Sequence, residues 1–290
     1  MADAVPDPEV CARWRLTPQA LPAARAGRTW AVTRDGAGHI LKRLDPADSP
    51  DWPYPLRVAA ALHARGWPVP EPTDEPLVTP GGVWLLYRRL PGRPLRSSGP
   101  DSPAQQRTRG RLLARLHAEL AATGITAQRG GFRSPVEVLA DPALERTLRA
   151  YERIHPADGA RLRACREAAA ARFAALPTGD APRSVVHGDF APWNLLFDGD
   201  RLTGVLDFEI AHHNFQVADF ALAWRGYQDE VIRGYDEVRP LSDLEWSLIV
   251  PVFHAWLFLG VAGRDPATLD LSWSLAHLQK RSGLSRIWTG

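Results

Sequence analysis

The sequence predicts an α+β protein with a small N-terminal antiparallel-sheet lobe, residues 1–90, and a larger, mainly helical C-terminal lobe, residues 91–290. Three observations point there. Short strand-like runs, Trp30 to Arg34, His39 to Leu44 and Gly82 to Leu90, lie before residue 91 and are bounded by turn residues. Beyond Pro91-Gly92-Arg93-Pro94 the pattern becomes helical, with Leu112, Leu113, Leu116 and Leu120 forming an inward stripe. At 290 residues the chain is long enough to bury two modest cores.

The elements follow in order. Residues Met1 to Ala12, with Pro6 and Pro8, are expected to be an irregular lead-in. Trp30 to Arg34 and His39 to Leu44 are strands joined by the turn Asp35-Gly36-Ala37-Gly38. Alternation puts Ile40, Lys42 and Leu44 on one face. A cation among apolar residues is costly unless an anion meets it; the bland reading is a snorkelling lysine at a sheet edge. Leu56 to Arg65 is a helix stopped by Gly66 and Pro68. Gly82 to Leu90 is the last strand of the small lobe, and Arg96 to Ser102 is a polar connector. Helices are expected over Gln105 to Leu120, Pro142 to Ile154, Gly159 to Leu176, Val217 to Tyr235, Asp243 to Val261 and Leu269 to Lys280. Ser242-Asp243-Leu244-Glu245 is a capping box that starts one of them. His117, on the first of these helices, reads as a satisfied core histidine.

Composition narrows the partners. Hydrophobic (45%) and charged (23%) fractions are those of an ordinary globular protein. A net charge of +2 gives little pull on nucleic acid or anionic lipid, so neither nucleic acid nor a membrane is an expected partner. Cys11 and Cys165 make no disulfide framework, and the N-terminus has no signal-peptide pattern, so a cytoplasmic setting is expected. The apolar run Leu248 to Ala262 is too short to span a bilayer and is interrupted by Pro251 and His254; it reads as a buried helix. Lys42 and Lys280 are the chain's lysines, Asn194 and Asn214 its asparagines. Where arginine is the default cation, a lysine inside an apolar strand calls for a reason.

The chemistry concentrates between Ser184 and Ala221. A polar loop, His187 to Trp193, leads through Asn194 into the apolar run Leu195-Leu196-Phe197. Asp198-Gly199-Asp200 then turns the chain into a second run, Leu202 to Leu206, that ends on Asp207. That is a β-hairpin with a D-G turn. It should bring Asp189, Asn194 and Asp207 together, two carboxylates and an amide that call for a counter-charge. Mg²⁺ with phosphate oxygens suits them, because it takes oxygen ligands from one or two carboxylates.

The segment His187-Gly188-Asp189-Phe190-Ala191-Pro192-Trp193-Asn194, followed by Leu206-Asp207-Phe208-Glu209, resembles the catalytic segment of the aminoglycoside phosphotransferase and choline kinase-like family. The resemblance implies a two-lobed protein-kinase-like fold and transfer of the γ-phosphate of ATP (or GTP) to a hydroxyl of a small molecule, aminoglycoside- or choline-like. It implies Asp189 as the base or orienter of the acceptor hydroxyl, and Asn194 and Asp207 as Mg²⁺ ligands. Lys42 would contact the α- and β-phosphates, and Tyr87, Arg88 and Arg89 would form the hinge beside the adenine. His187 would brace the loop, and Asp219 would open a structural D-L-A-like segment. Glu209 could support the metal shell or reach the acceptor.

Two features depart from the family pattern. The stretch Pro22 to Thr29, where a glycine-rich flap would cover phosphates, has a single glycine and two arginines, Arg25 and Arg28. The helix Leu56 to Arg65 has no glutamate to pair with Lys42, so either Asp48, Asp51, Glu71 or Glu75 substitutes, or the nucleotide and Asp207 serve. Peptide Ser/Thr phosphorylation, and a nucleotide-binding pseudokinase acting as a binding module, are the competing readings. Asp229, Glu230, Asp236, Glu237, Asp243 and Glu245 form either a solvated face or a surface for a cationic acceptor.

Overall fold

The computed structural model describes residues 6–19, 28–96 and 101–288. Along these residues run α1 (Pro8–Trp14), β1 (Thr17–Pro18), β2 (Thr29–Arg34), β3 (Ala37–Leu44), α2 (Pro53–Ala64), β4 (Leu77–Thr79), β5 (Gly82–Arg88) and β6 (Arg93–Pro94). The chain continues through α3 (Pro103–Ala122), α4 (Pro135–Leu139), α5 (Pro142–Ile154), α6 (Pro156–Ala175), β7 (Arg183–Val186), β8 (Leu195–Asp198), β9 (Arg201–Val205) and β10 (His212–Phe215). Four helices close it: α7 (Phe220–Ala223), α8 (Asp229–Val238), α9 (Asp243–Leu257) and α10 (Ser272–Leu278). The residues group into two compact units. The first takes Met1–Ser97, Arg129–Gly131 and Trp193–Ala211; the second takes Ser98–Gln128, Phe132–Pro192 and His212–Gly290.

The first unit is built on an antiparallel sheet of order β1-β2-β3-β5-β4. Asp35 (φ 51°) and Gly36 (φ 77°) turn β2 into β3 with two successive left-handed residues, the turn whose twist matches paired strands. One face carries Trp30, Val32, Leu41, Trp84 and Leu86, and Val10 and Leu16 complete that cluster. The opposite face carries Leu44, Val83 and Leu85, packed against Trp52, Leu56 and Tyr87. Lys42 pairs with Leu85 and Leu44 with Val83 in the register, so Lys42 belongs to this second face. A smaller sheet of order β6-β8-β9 adds the ribbon with its turn at Gly199 (φ 57°).

The lead-in departs from expectation. Residues 8–14 are helical, because Pro8 sits in the first turn, where its missing N–H costs nothing, and the Asp7 side chain accepts from Glu9 N–H (2.8 Å). The helix packs on the sheet: its Val10, with Cys11 and Trp14 beside it, covers one face. Of the expected phosphate flap Pro22 to Thr29, residues 22–27, Arg25 included, lie outside the described residues, as do connector residues 97–100.

The second unit is mainly helical. Its α3 and α8 touch backbone to backbone: a Cβ on Gly110 would lie 2.0 Å from Val231 O, and one on Gly234 2.1 Å from Arg107 O. The stretch expected as one helix from Val217 to Tyr235 is broken. Arg225 (φ 57°) and Gly226 (φ 80°) are both left-handed and separate α7 from α8. The helix α4, formed behind a capping box of Ser134 and Glu137, was not expected from the sequence. The box at Ser242 and Glu245 forms as expected and starts α9. None of the described helices is long and apolar enough to cross a membrane.

Candidate active site

Two groups of side chains hold the residues singled out in the sequence, one in each unit. In the first, the ammonium of Lys42 donates to Asp207 Oδ1 (3.0 Å) and also meets the Glu209 carboxylate. β3 is an inner strand of its sheet, so Lys42 is not an edge residue reaching for solvent. Burial pulls its pKa down, but the two carboxylates outweigh that, and the net shift is upward: the lysine is held charged. Tyr87, on the same face, has its phenol pushed up by burial, then by Glu209 and Asp207. Asp207 follows β9 in the left-handed region (φ 66°), costly for a residue with a side chain. A three-residue turn, Phe208–Ile210, comes next and carries Glu209. Across the ribbon, Leu206 N–H donates to Asn194 O (2.8 Å), so Asn194 stands opposite the residue preceding Asp207.

Two of the four acids expected to replace the missing helix glutamate are engaged elsewhere. Asp48 pairs with Arg28 (2.7 Å) and Glu71 with His63 (3.2 Å). The hinge candidates are part of the sheet: Tyr87 and Arg88 pair with Ile40 and His39, and Arg89 N–H donates to Gly38 O (3.1 Å).

In the second unit the loop bearing Asp189 is pinned from below by Asp219, a fully buried carboxylate. It accepts from His187 N–H (2.8 Å) and Gly188 N–H (2.5 Å), and from His117 Nε2 (2.8 Å). Burial alone would raise the Asp219 pKa; the bonds and charges of His117 and His187 more than offset this and hold it lowered. An ionised Asp219 only accepts, so His117 carries its proton on Nε2, and its Nδ1 faces the Tyr235 hydroxyl (2.8 Å). His117 is thus a core histidine with both nitrogens satisfied. Asp189 N–H donates to His187 Nδ1 (3.2 Å), so His187 braces its own loop. Gly188 (φ 85°) supplies the left-handed step that aims both amides at Asp219.

Two residues that brace these groups are not marked in the sequence. Arg109, on α3, is fully buried and grips Asp101 with two bonds (2.9 and 3.0 Å). It also donates to Phe190 O (3.2 Å), next to Asp189, and to Ala223 O (2.7 Å). Its signal was an arginine at helical spacing from Leu113, Leu116 and Leu120, on the stripe meant for the core. Arg129 donates to Ala211 O (3.0 Å) and to the Glu209 carbonyl, and its guanidinium lies 5.9 Å from the Tyr54 ring centre. Nothing in its sequence surroundings marked it.

A family model described as "Phosphotransferase enzyme family" matches residues 17–240. Homoserine kinase of Rhodospirillum rubrum is 28% identical over 242 residues, 75% of this chain and 70% of that protein. Homoserine kinase of Gluconobacter oxydans is 32% identical over 149 residues, 47% of this chain and 45% of that protein, so less than half of that relative's length is matched. Among solved structures, a thermostable variant of aminoglycoside phosphotransferase APH(4)-Ia, in complex with ADP and hygromycin B, superposes with a TM-score of 0.64 at 17% identity, covering 93% of this chain and 95% of the other. The sheet of the first unit and the helices of the second are the two lobes of that kinase-like fold. The match over residues 17–240 spans most of the sequence, both groups of side chains included, and the chain belongs to the phosphotransferase enzyme family.

Proposed function

We propose that this chain is a kinase that transfers the γ-phosphate of ATP to a hydroxyl of a small molecule. The observation that carries the reading is Lys42, kept charged on an apolar sheet face by Asp207 and Glu209. A fixed ammonium beside carboxylates is what a metal-bound polyphosphate requires. In this reading residues 1–90 are the nucleotide-binding lobe and residues 91–290 the catalytic and acceptor-binding lobe, except that the ribbon at 193–211 groups with the first unit.

Lys42 would donate to the α- and β-phosphate oxygens. Asn194 and Asp207, one step out of register across the ribbon, carry hard oxygen donors, a set that fits Mg²⁺ coordinated by few protein ligands. That ion, when bound, would neutralise charge on the phosphoryl group in transfer. Asp189 would orient the acceptor hydroxyl and accept its proton at a carboxylate oxygen. Asp219 and Arg109 would keep that carboxylate in place through the backbone at His187, Gly188 and Phe190.

The acceptor we infer is a small amino-acid-like alcohol rather than a polycationic aminosugar. Each of the six acids considered for a cationic acceptor has a partner inside the second unit. Glu230 and Glu237 pair with Arg107, Asp243 with Arg286 and Glu245 with Arg239; Asp236 accepts from Leu241 N–H and Asp229 from Trp224 Nε1. Arg225 adds a positive charge felt by Asp189, although burial lowers its pKa. The homoserine kinases among the relatives point the same way. A mass-spectrometric screen for gain of one phosphate tests this, using Mg·ATP with homoserine, choline, hygromycin B, kanamycin and a serine peptide. Transfer to homoserine supports the reading. Transfer only to the aminosugars or the peptide overturns the acceptor class, and nucleotide binding without any transfer favours a binding module.

A further inference from the structure

We propose that Glu209 is the positioning acid for Lys42, holding the ammonium in place while Asp207 serves the metal. The proposal rests on the nucleotide-site reading above and deepens it. A lysine on an apolar face needs a lasting anionic partner. Asp207 cannot be that partner alone if its carboxylate is also drawn to a divalent cation, because the cation competes for the same oxygens. A second acid frees it.

Glu209 is placed for the role. Its carboxylate meets the Lys42 ammonium already, beside the 3.0 Å bond from Lys42 to Asp207. The helix α2, reading Pro-Tyr-Pro-Leu-Arg-Val-Ala-Ala-Ala-Leu-His-Ala, contains no acid at all. It packs instead against the turn Phe208–Ile210, so the charge missing from the helix arrives from the segment lying on it.

That turn is fixed in place, which a positioning group requires. Arg129 donates to the carbonyls of Glu209 and Ala211 while its guanidinium lies over Tyr54, a fully buried residue of α2. The left-handed step at Asp207 turns the chain so that two acids, two residues apart, reach one ammonium. Charge supports the same division of labour. Two carboxylates around one ammonium leave the cluster with an excess negative charge, which attracts a divalent cation; with that cation present the cluster becomes positive and suits a polyphosphate.

The test uses the full chain and its two lysines, Lys42 and Lys280. With ¹⁵N at lysine Nζ, Lys42 should give a slowly exchanging ammonium signal that persists in Mg·ADP, with Lys280 as the internal reference. In Glu209→Gln that signal should exchange with water on the order of ten times faster in the Mg·ADP complex, and Glu209→Asp should restore part of the protection. Turnover per nucleotide KM should fall on the order of 10²-fold in Glu209→Gln, the usual cost of a misplaced group, while the acceptor KM stays put. Lys42→Met combined with Glu209→Gln should lose no more than Lys42→Met alone, since a group that acts through Lys42 has nothing left to do.

An unchanged Lys42 signal in Glu209→Gln overturns the proposal. So do losses that multiply in the double variant, or a change confined to the acceptor KM. Should Glu209→Gln fail to fold, Glu209→Asp carries the same cycle with Lys42→Met, and the same additivity overturns the idea. If Lys42→Met binds Mg·ADP as tightly as the wild type, the nucleotide-site reading itself falls and the proposal with it. That result differs from failure of the proposal alone, in which Lys42→Met weakens binding and Glu209→Gln leaves Lys42 undisturbed.

Discussion

Replacing Asp219 by Asn should loosen the loop that bears Asp189 by an amount the structure lets one work out. The carboxylate accepts three hydrogen bonds in a site with no solvent contact: from His187 N–H, Gly188 N–H and His117 Nε2–H. An amide retains one acceptor oxygen and presents N–H groups where the other oxygen stood. The best orientation keeps Oδ1 of the new amide on His117 and His187 and turns its NH₂ toward Gly188 N–H. One buried donor is then left unmet, at about 1–3 kcal/mol, and the two surviving bonds lose their ionic component. The total comes to about 2–4 kcal/mol.

The pH dependence carries its own sign. Folding lowers the Asp219 pKa, through His117 and His187 acting against burial. The stabilisation is therefore fully present above the unfolded carboxylate value of about 3.9 and is lost as pH falls toward and through the folded value. Urea unfolding of wild type and Asp219→Asn, followed by tryptophan fluorescence at pH 7 and again near pH 3.5, measures the difference. The gap should be largest at pH 7 and shrink in acid. A variant within about 0.5 kcal/mol of wild type at pH 7, or a gap that stays constant with pH, refutes the reasoning.

Asp189→Ala should retain the wild-type unfolding curve while turnover falls roughly 10²–10⁴-fold, the range for a lost general base; phosphate transfer at the wild-type rate would remove Asp189 from that role. In Asp207→Ala, calorimetric titration with Mg·ATP should show no metal-dependent binding, and an unchanged isotherm would show that the metal lies elsewhere. Gly110→Ala should cost about 1–3 kcal/mol or more in urea unfolding, because the new methyl falls 2.0 Å from Val231 O where backbone cannot give way. A wild-type midpoint would mean α3 and α8 do not touch there.

How much of this was legible in the sequence depended on the distance over which each signal acts. Alternation fixed the face of Lys42, the D-G turn fixed the ribbon, and Ser242 with Glu245 announced α9, all from neighbours a few residues apart. The opening helix was misread because Pro8 is a breaker everywhere except the first turn, and Asp7 decides which case applies. The break at Arg225 was invisible because arginine gives no warning of a left-handed backbone; Gly226 after it is tolerated inside many helices.

Of the partners the sequence offers Lys42, the structure pairs it with Asp207, and it adds Glu209, which the sequence does not mark for that contact. A kinase-like pattern puts a glutamate on the helix that follows β3, and α2 has none. What settles the pairing is the ribbon, which brings Asp207 to Lys42 across 165 residues, and the packing of α2 on the turn after it. An ammonium on an apolar face makes a demand for charge that any nearby backbone can meet. The position that supplies it is free to move between elements provided that both lie against the same sheet face. A missing acid in α2 therefore does not mark an inactive relative until the turn packed against that helix has been searched, and Glu209 occupies it.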